Sequence, residues 1–156
     1  MTKLRSESEF ITNETVRGYR ENETTSRFLE KLFGGDVVVE DVVNNLMWQQ
    51  GGTQHGLTYP GAKKYIKELN ENKHAGFNNW RLPTIDEAKT LIPDYPLLCT
   101  RVDVFSVNQR EIWTIDINQK EQTRWVISFL QCNIKSVPPY APIHARAIRT
   151  VALKSF

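Results

Sequence analysis

The stretch Trp80-Arg81-Leu82-Pro83-Thr84-Ile85-Asp86-Glu87 constrains the fold more than any other part of the chain. Thr84 and Glu87 stand at the spacing of a capping box. The threonine hydroxyl accepts the amide hydrogen of Glu87 while the glutamate carboxylate reaches back to the amide of Thr84, and Asp86 suits the positive end of the helix they start. Pro83 forces Leu82 into an extended conformation. Trp80 and Arg81 are therefore delivered on a stiff, extended approach to a fixed helix start, and the helix turns Ala88, Leu91 and Ile92 inward before Pro93 stops it. Large residues held on a rigid approach read as a structural bracket, with Arg81 tied to an acid such as Asp41 or to backbone carbonyls.

A second helix is predicted after Thr58. Pro60 falls in its first turn, where no backbone donor is missed, and Ala62, Tyr65, Ile66 and Leu69 recur at i, i+3, i+4 and i+7 as one apolar face. Lys63, Lys64, Lys67 and Glu68 form its wet side. Ahead of it, the β-branched run Asp36–Glu40 and the run Leu46–Gln50 flank Asn44-Asn45. Both asparagines tolerate left-handed backbone angles, so the two runs read as a hairpin. Residues 28–33 end at Gly34-Gly35 and fit either a helical turn or a strand. The 27 residues before them are polar and aperiodic, an N-terminal extension in which Thr12-Asn13 could cap a short helix, and 28–156 is the domain proper.

After Cys99 the pattern becomes β. Trp113, Ile115 and Ile117 alternate, as do Trp125, Ile127 and Phe129, with the polar segment Asn118–Thr123 as a hairpin loop between them. Asn133–Val137 forms a further short strand, Pro138–Pro142 a stiff surface loop, and His144–Ala152 a last strand. Hairpin, two helices, then antiparallel strands make an α+β fold with two helices packed on antiparallel sheets.

With 156 residues, 40% of them hydrophobic and 24% charged, the chain can bury a core without staples. Cys99 and Cys132 are too few and too far apart for a disulfide framework or a zinc site, and read as free thiols. No run approaches the roughly 18 apolar residues of a membrane helix, and the start lacks a secretory signal. The sequence thus reads as a soluble protein that does not insert in a membrane, cytoplasmic unless it is a domain of a larger exported one. Net charge is +2, but residues 99–156 carry eight Lys/Arg against four Asp/Glu. That is too sparse for a nucleic-acid surface and favours, at most, an anionic ligand.

Taken in order, Asp41, Leu46-Met47-Trp48-Gln49, Ala75–Thr84, Trp113-Thr114, Trp125–Phe129 and Arg146–Arg149 resemble the bacterial Lcl C-terminal-domain family, a domain of unknown function. The resemblance covers residues 28–152 and implies a C-type-lectin-like fold. This chain departs from the family pattern at Asn44-Asn45, Thr114-Ile115 and Ala147. It also departs at Leu130-Gln131-Cys132, where a glycine usually makes the turn. A similar tryptophan-arginine-leucine-proline string occurs in sulfatase-modifying enzymes, but those depend on a closely spaced cysteine pair that is missing here.

In such folds the second half of the chain supplies the ligand face. The resemblance therefore points to Asp116, Asn118, Gln122, Arg124, Asn133, Lys135 and Tyr140, polar groups with one aromatic on loops and strands above a rigid scaffold. Neither of the usual calcium-lectin triplets is present, His55, His74 and His144 lack metal-ligand spacing, and no glycine-rich phosphate loop occurs, so no cofactor, metal or catalytic residue is expected. Trp48, Trp80, Trp113 and Trp125 read as core, and Arg81, Arg146 and Arg149 as structural ties. The expected function is non-catalytic recognition of a protein or glycan; the alternative is an assembly domain that contacts copies of itself or a partner subunit.

Overall fold

The computed structural model describes residues 27–92, 105 and 109–153. The expected N-terminal extension, its Thr12-Asn13 cap and Cys99 lie outside the described residues.

Asp36–Asp41 (β2) and Leu46–Gln49 (β3) pair antiparallel through a turn in which Asn45 takes a left-handed φ of 54°, as the asparagine pair requires. Phe28–Phe33 (β1), ambiguous in sequence, is a strand that joins the outer edge of β2, with Phe28 opposite Asp41 and Phe33 opposite Asp36. The last strand is shorter than expected: only Ile148–Thr150 (β7) is regular, and it pairs with β3. One four-stranded sheet thus has the order β1-β2-β3-β7. A second, three-stranded sheet is built from Glu111–Asn118 (β4), Thr123–Ser128 (β5) and Asn133–Val137 (β6) in sequence order. The result is α+β, two antiparallel sheets with two helices.

Both helices start as the sequence dictates. Tyr59–Glu71 (α1) is capped by the Thr58 hydroxyl, which accepts from the Gly61 amide at 3.2 Å. Ile85–Lys89 (α2) carries the full capping box: Thr84 Oγ1 accepts from the Glu87 amide at 3.2 Å and Glu87 Oε1 accepts from the Thr84 amide at 2.9 Å. The stretch before α2 is the bracket its residues suggested. Trp80 is buried, its amide donating to Asn70 Oδ1 on α1 and its indole to the His74 carbonyl. Arg81 exchanges two backbone hydrogen bonds with Ile148 of β7, and the Pro83 carbonyl accepts from Ile115 of β4. One extended segment therefore ties a helix to both sheets.

The side chain of Arg81 pairs with Glu87, its two terminal nitrogens 2.6 and 2.7 Å from the two carboxylate oxygens, and not with Asp41. Asp41 is fully buried and pairs instead with Arg27, while also accepting from the amides of Val43 and Asn44 and the side chain of Asn44. Arg81 closes on the acid of its own helix start, and Asp41 already has Arg27 as its cation.

Three apolar clusters hold the layers together. Phe28, Val39, Leu46, Trp48 and Ile148 of the larger sheet meet Ile112 and Ile127 of the smaller sheet, Phe129 just after β5, and Ala88 and Leu91 by α2. Ala62 of α1 packs with Trp113, Val126, Ile143 and Ala145, and Val38, Met47, Trp80 and Ala147 form the third. Neighbours Val38 and Val39 are both fully buried because the larger sheet is covered on both faces, which is why this strand reads as a continuous β-branched run and not an alternating one. Trp125 departs from expectation. It is half-buried and outside all three clusters, on the face of β5 that also carries Thr123 and Ile127.

Arg146 and Arg149 are the expected ties. Arg146 Nε donates to Gln109 Oε1 at 2.9 Å with its guanidinium over Phe105, and Arg149 Nε donates to Asn79 Oδ1 at 2.8 Å with its guanidinium over Phe77. Cys132, expected as a free thiol, is in a disulfide, and Cys99 is the only other cysteine in the sequence. Separation along the chain excluded nothing here, because the β fold brings distant segments together. The β5–β6 turn that lacks the usual glycine is made by Cys132 itself, with a left-handed φ of 52°.

Candidate ligand-recognition surface

Strand pairing sorts the residues of the smaller sheet. Arg124 stands opposite Val137, Val126 opposite Lys135 and Ser128 opposite Asn133, so alternation puts Arg124, Lys135 and Asn133 on one face of the β5–β6 ribbon. Trp113 shares that face through its pairing with Val126, and α1 covers the centre of it. The polar side chains are left around the rim.

At one end of the rim the guanidinium of Arg124 lies over the ring of Tyr59, 4.6 Å from its centroid, and Tyr59 meets Trp113 edge-on at 5.5 Å between centroids. Trp113 is fixed in turn by its indole hydrogen bond to the Leu57 carbonyl, 2.8 Å. The stack therefore rests on the core. No carboxylate among the described residues pairs with Arg124, and its Nε is buried without a partner. Its Nη1 donates weakly to the Thr123 carbonyl at 3.5 Å, and a charge held flat on an aromatic ring without a counter-ion has donor capacity left for another molecule. Next to it, the Pro139 carbonyl accepts from the Tyr59 amide at 2.7 Å, which anchors the Pro138–Pro142 loop and leaves Tyr140 77% exposed at its tip.

The seven candidate residues do not form one site. Arg124 and Tyr140 flank the Tyr59 position. Lys135 is half-buried in an ion pair with Glu111, and Asn133 is exposed at the far end of the same strand. Asn118 pairs with Thr123 on the opposite face, where its amide bonds weakly to Glu121 and Ser136 at 3.4 and 3.5 Å. Gln122 makes the β4–β5 turn at φ 55° and donates to the Gln119 carbonyl. Asp116 has a scaffolding role. A bulge in β4 between Trp113 and Ile117 swings its carboxylate to the start of α2, where it accepts from the Ile85 amide at 2.6 Å.

Tyr59 was missing from the sequence-based set. It lies three residues before Ala62 and extends the same helical stripe, so periodicity could place it on the packed face but not beneath an arginine of another strand. Among the described residues no cluster of His, Cys, Asp and Glu is poised for a metal, and no helix is long and apolar enough to cross a membrane.

Comparison with known proteins gives a family match. The family model described as the Lcl C-terminal domain fits residues 37–149, from β2 to the middle of β7. No curated protein and no solved structure matches the chain.

Proposed function

The chain belongs to the Lcl C-terminal domain family, and on that premise we propose that it is a non-catalytic recognition module with a C-type-lectin-like fold, binding a protein or a glycan on the rim of its smaller sheet. The observation that carries this reading is Arg124, stacked on Tyr59 with no acid partner among the described residues, beside the exposed Tyr140. A stacked guanidinium and an exposed tyrosine are the side chains that anchor recognition surfaces most often, since each supplies contact area and donors at small entropic cost.

A ligand is to be identified first by glycan array and by pull-down with the purified chain. The triple variant Arg124→Ala, Asn133→Ala, Tyr140→Ala is then expected to weaken its binding at least tenfold, a loss of about 1.4 kcal/mol. Unchanged affinity would remove the site from this rim.

A second reading, an assembly domain, is favoured by the β1–β2 hairpin, where Leu32 is 69% and Val37 40% exposed on paired positions. Light scattering after size exclusion decides it: a stable oligomer persisting on dilution supports assembly, and a monomer at all concentrations rejects self-association.

A further inference from the structure

Away from the predicted residues, a cleft of 520 Å³ lies between the segment that follows β3 and the outer side of α1, lined by Gly52, Thr53, Leu57, Lys64, Tyr65 and Glu68 among others. Its volume suits a small molecule. Two hydroxyls in its lining have their oxygens fixed by the protein and their hydrogens unused. Gln49 Oε1 accepts from the Ala147 amide at 2.9 Å, which sets the orientation of the Gln49 amide, so Gln49 Nε2 is the donor in its 2.8 Å bond to the Tyr65 hydroxyl. The hydrogen of Tyr65 therefore points elsewhere, and no acceptor for it exists among the described residues. Burial raises the Tyr65 pKa, so the phenol keeps that hydrogen. Thr53 repeats the arrangement: its Oγ1 accepts from the Ala145 amide at 3.0 Å, and its own hydrogen has no acceptor among the described residues.

Lys64 stands exposed beside Tyr65 on α1, in no ion pair among the described residues, while Leu57 and the Tyr65 ring supply an apolar wall. Directed hydroxyl donors with an ammonium call for a carboxylate oxygen. Glu68, one helical turn beyond Lys64, is the acid of the lining and opposes a second negative charge. We propose that this cleft binds an organic monocarboxylate with an apolar body, its carboxylate taking the free hydrogens of Tyr65 and Thr53 and facing Lys64, its body against Leu57 and the tyrosine ring.

The test is a titration of the full chain with 3-phenylpropionate, followed through the amide resonances of Gly52, Thr53 and Tyr65, beside the uncharged 3-phenylpropionamide and the dianion succinate. Saturable shifts with 3-phenylpropionate are expected, with the amide and succinate each at least tenfold weaker. Tyr65→Phe keeps the ring and removes the hydroxyl, and Lys64→Gln changes only an exposed position. Each should weaken 3-phenylpropionate about tenfold, the usual effect of losing one hydrogen bond to a charged group. Arg124→Ala should leave this titration unchanged, which separates it from the rim surface. Absence of saturable shifts, equal binding of acid and amide, or full affinity in Tyr65→Phe each overturns the proposal.

Discussion

Glu87 is held by two partners that each need it ionised. Burial lifts its carboxyl, but hydrogen bonds from Arg81 and from the Thr84 amide outweigh burial and leave its pKa below the usual carboxylate range. Asp41 follows the same order, with burial raising it and Arg27 and Asn44 more than reversing the effect. A group depressed on folding contributes stability above its unfolded pKa, about 4 for these acids, and loses that contribution as pH falls through the folded value. Unfolding by urea should therefore need less denaturant as pH drops from about 5 toward 3, and Glu87→Gln should flatten that slope while lowering stability at neutral pH. A slope unchanged in the variant would show that the carboxylate is not coupled to folding. Thr84→Ala removes one half of the capping box and should cost about 1 kcal/mol in the same assay. Asp41→Ala strands Arg27 and three donors of the hairpin turn and should cost about 3 kcal/mol.

Turns decide how the elements meet, and two glycines separate strain from packing. Gly52, at φ 68°, has Gln109 and the Ala145 carbonyl where a Cβ would stand, the carbonyl at 2.6 Å, whereas Gly34, at φ 57°, has open space. Thermal unfolding of Gly34→Ala should show a loss of about 1 kcal/mol from the backbone alone, and Gly52→Ala a loss of about 3 kcal/mol or more. Equal losses would mean that the loop after β3 yields freely to the added methyl. At the β5–β6 turn the disulfide of Cys132 holds a residue other than glycine in a left-handed conformation. Reductant, or Cys132→Ser, should lower stability by about 2–4 kcal/mol, read as a shift of the urea midpoint; an unmoved midpoint would leave the bond without a role in the fold. Helix α1, the capping box of α2 and the β2–β3 hairpin were legible because each rests on residues within a few positions of one another. The ambiguity of residues 28–33 was not resolvable locally, since their strand state comes from pairing with Asp36–Asp41.

For the whole molecule, the bracket Trp80–Pro83 adds hydrogen bonds to α1, β4 and β7 to the apolar clusters that join the two sheets. It was legible as scaffold from its proline and its capping box. Its partners were not, because Asn70, Ile115 and Ile148 lie far away in sequence and no local signal names them. The candidate surface divides in the same way. Lys135 and Asn133 share a face by alternation within one strand, while the register that adds Arg124 to that face, the Tyr59 ring under Arg124 and the capture of Asp116 by α2 required the chain to be folded. By itself the sequence determined where both helices begin and that the class is α+β, since these follow from spacing within a few residues. The alternation of Trp113, Ile115 and Ile117 did not name the buried face, because the β4 bulge beyond Trp113 leaves Ile115 and Ile117 exposed. Only the tertiary structure decided that β7 completes the first sheet, that Trp125 stays half-exposed, that Cys132 is bonded and that Arg124 rests on Tyr59 with no acid partner among the described residues. Those outcomes depend on which distant groups reach one another once the backbone hydrogen bonds and apolar faces are satisfied together.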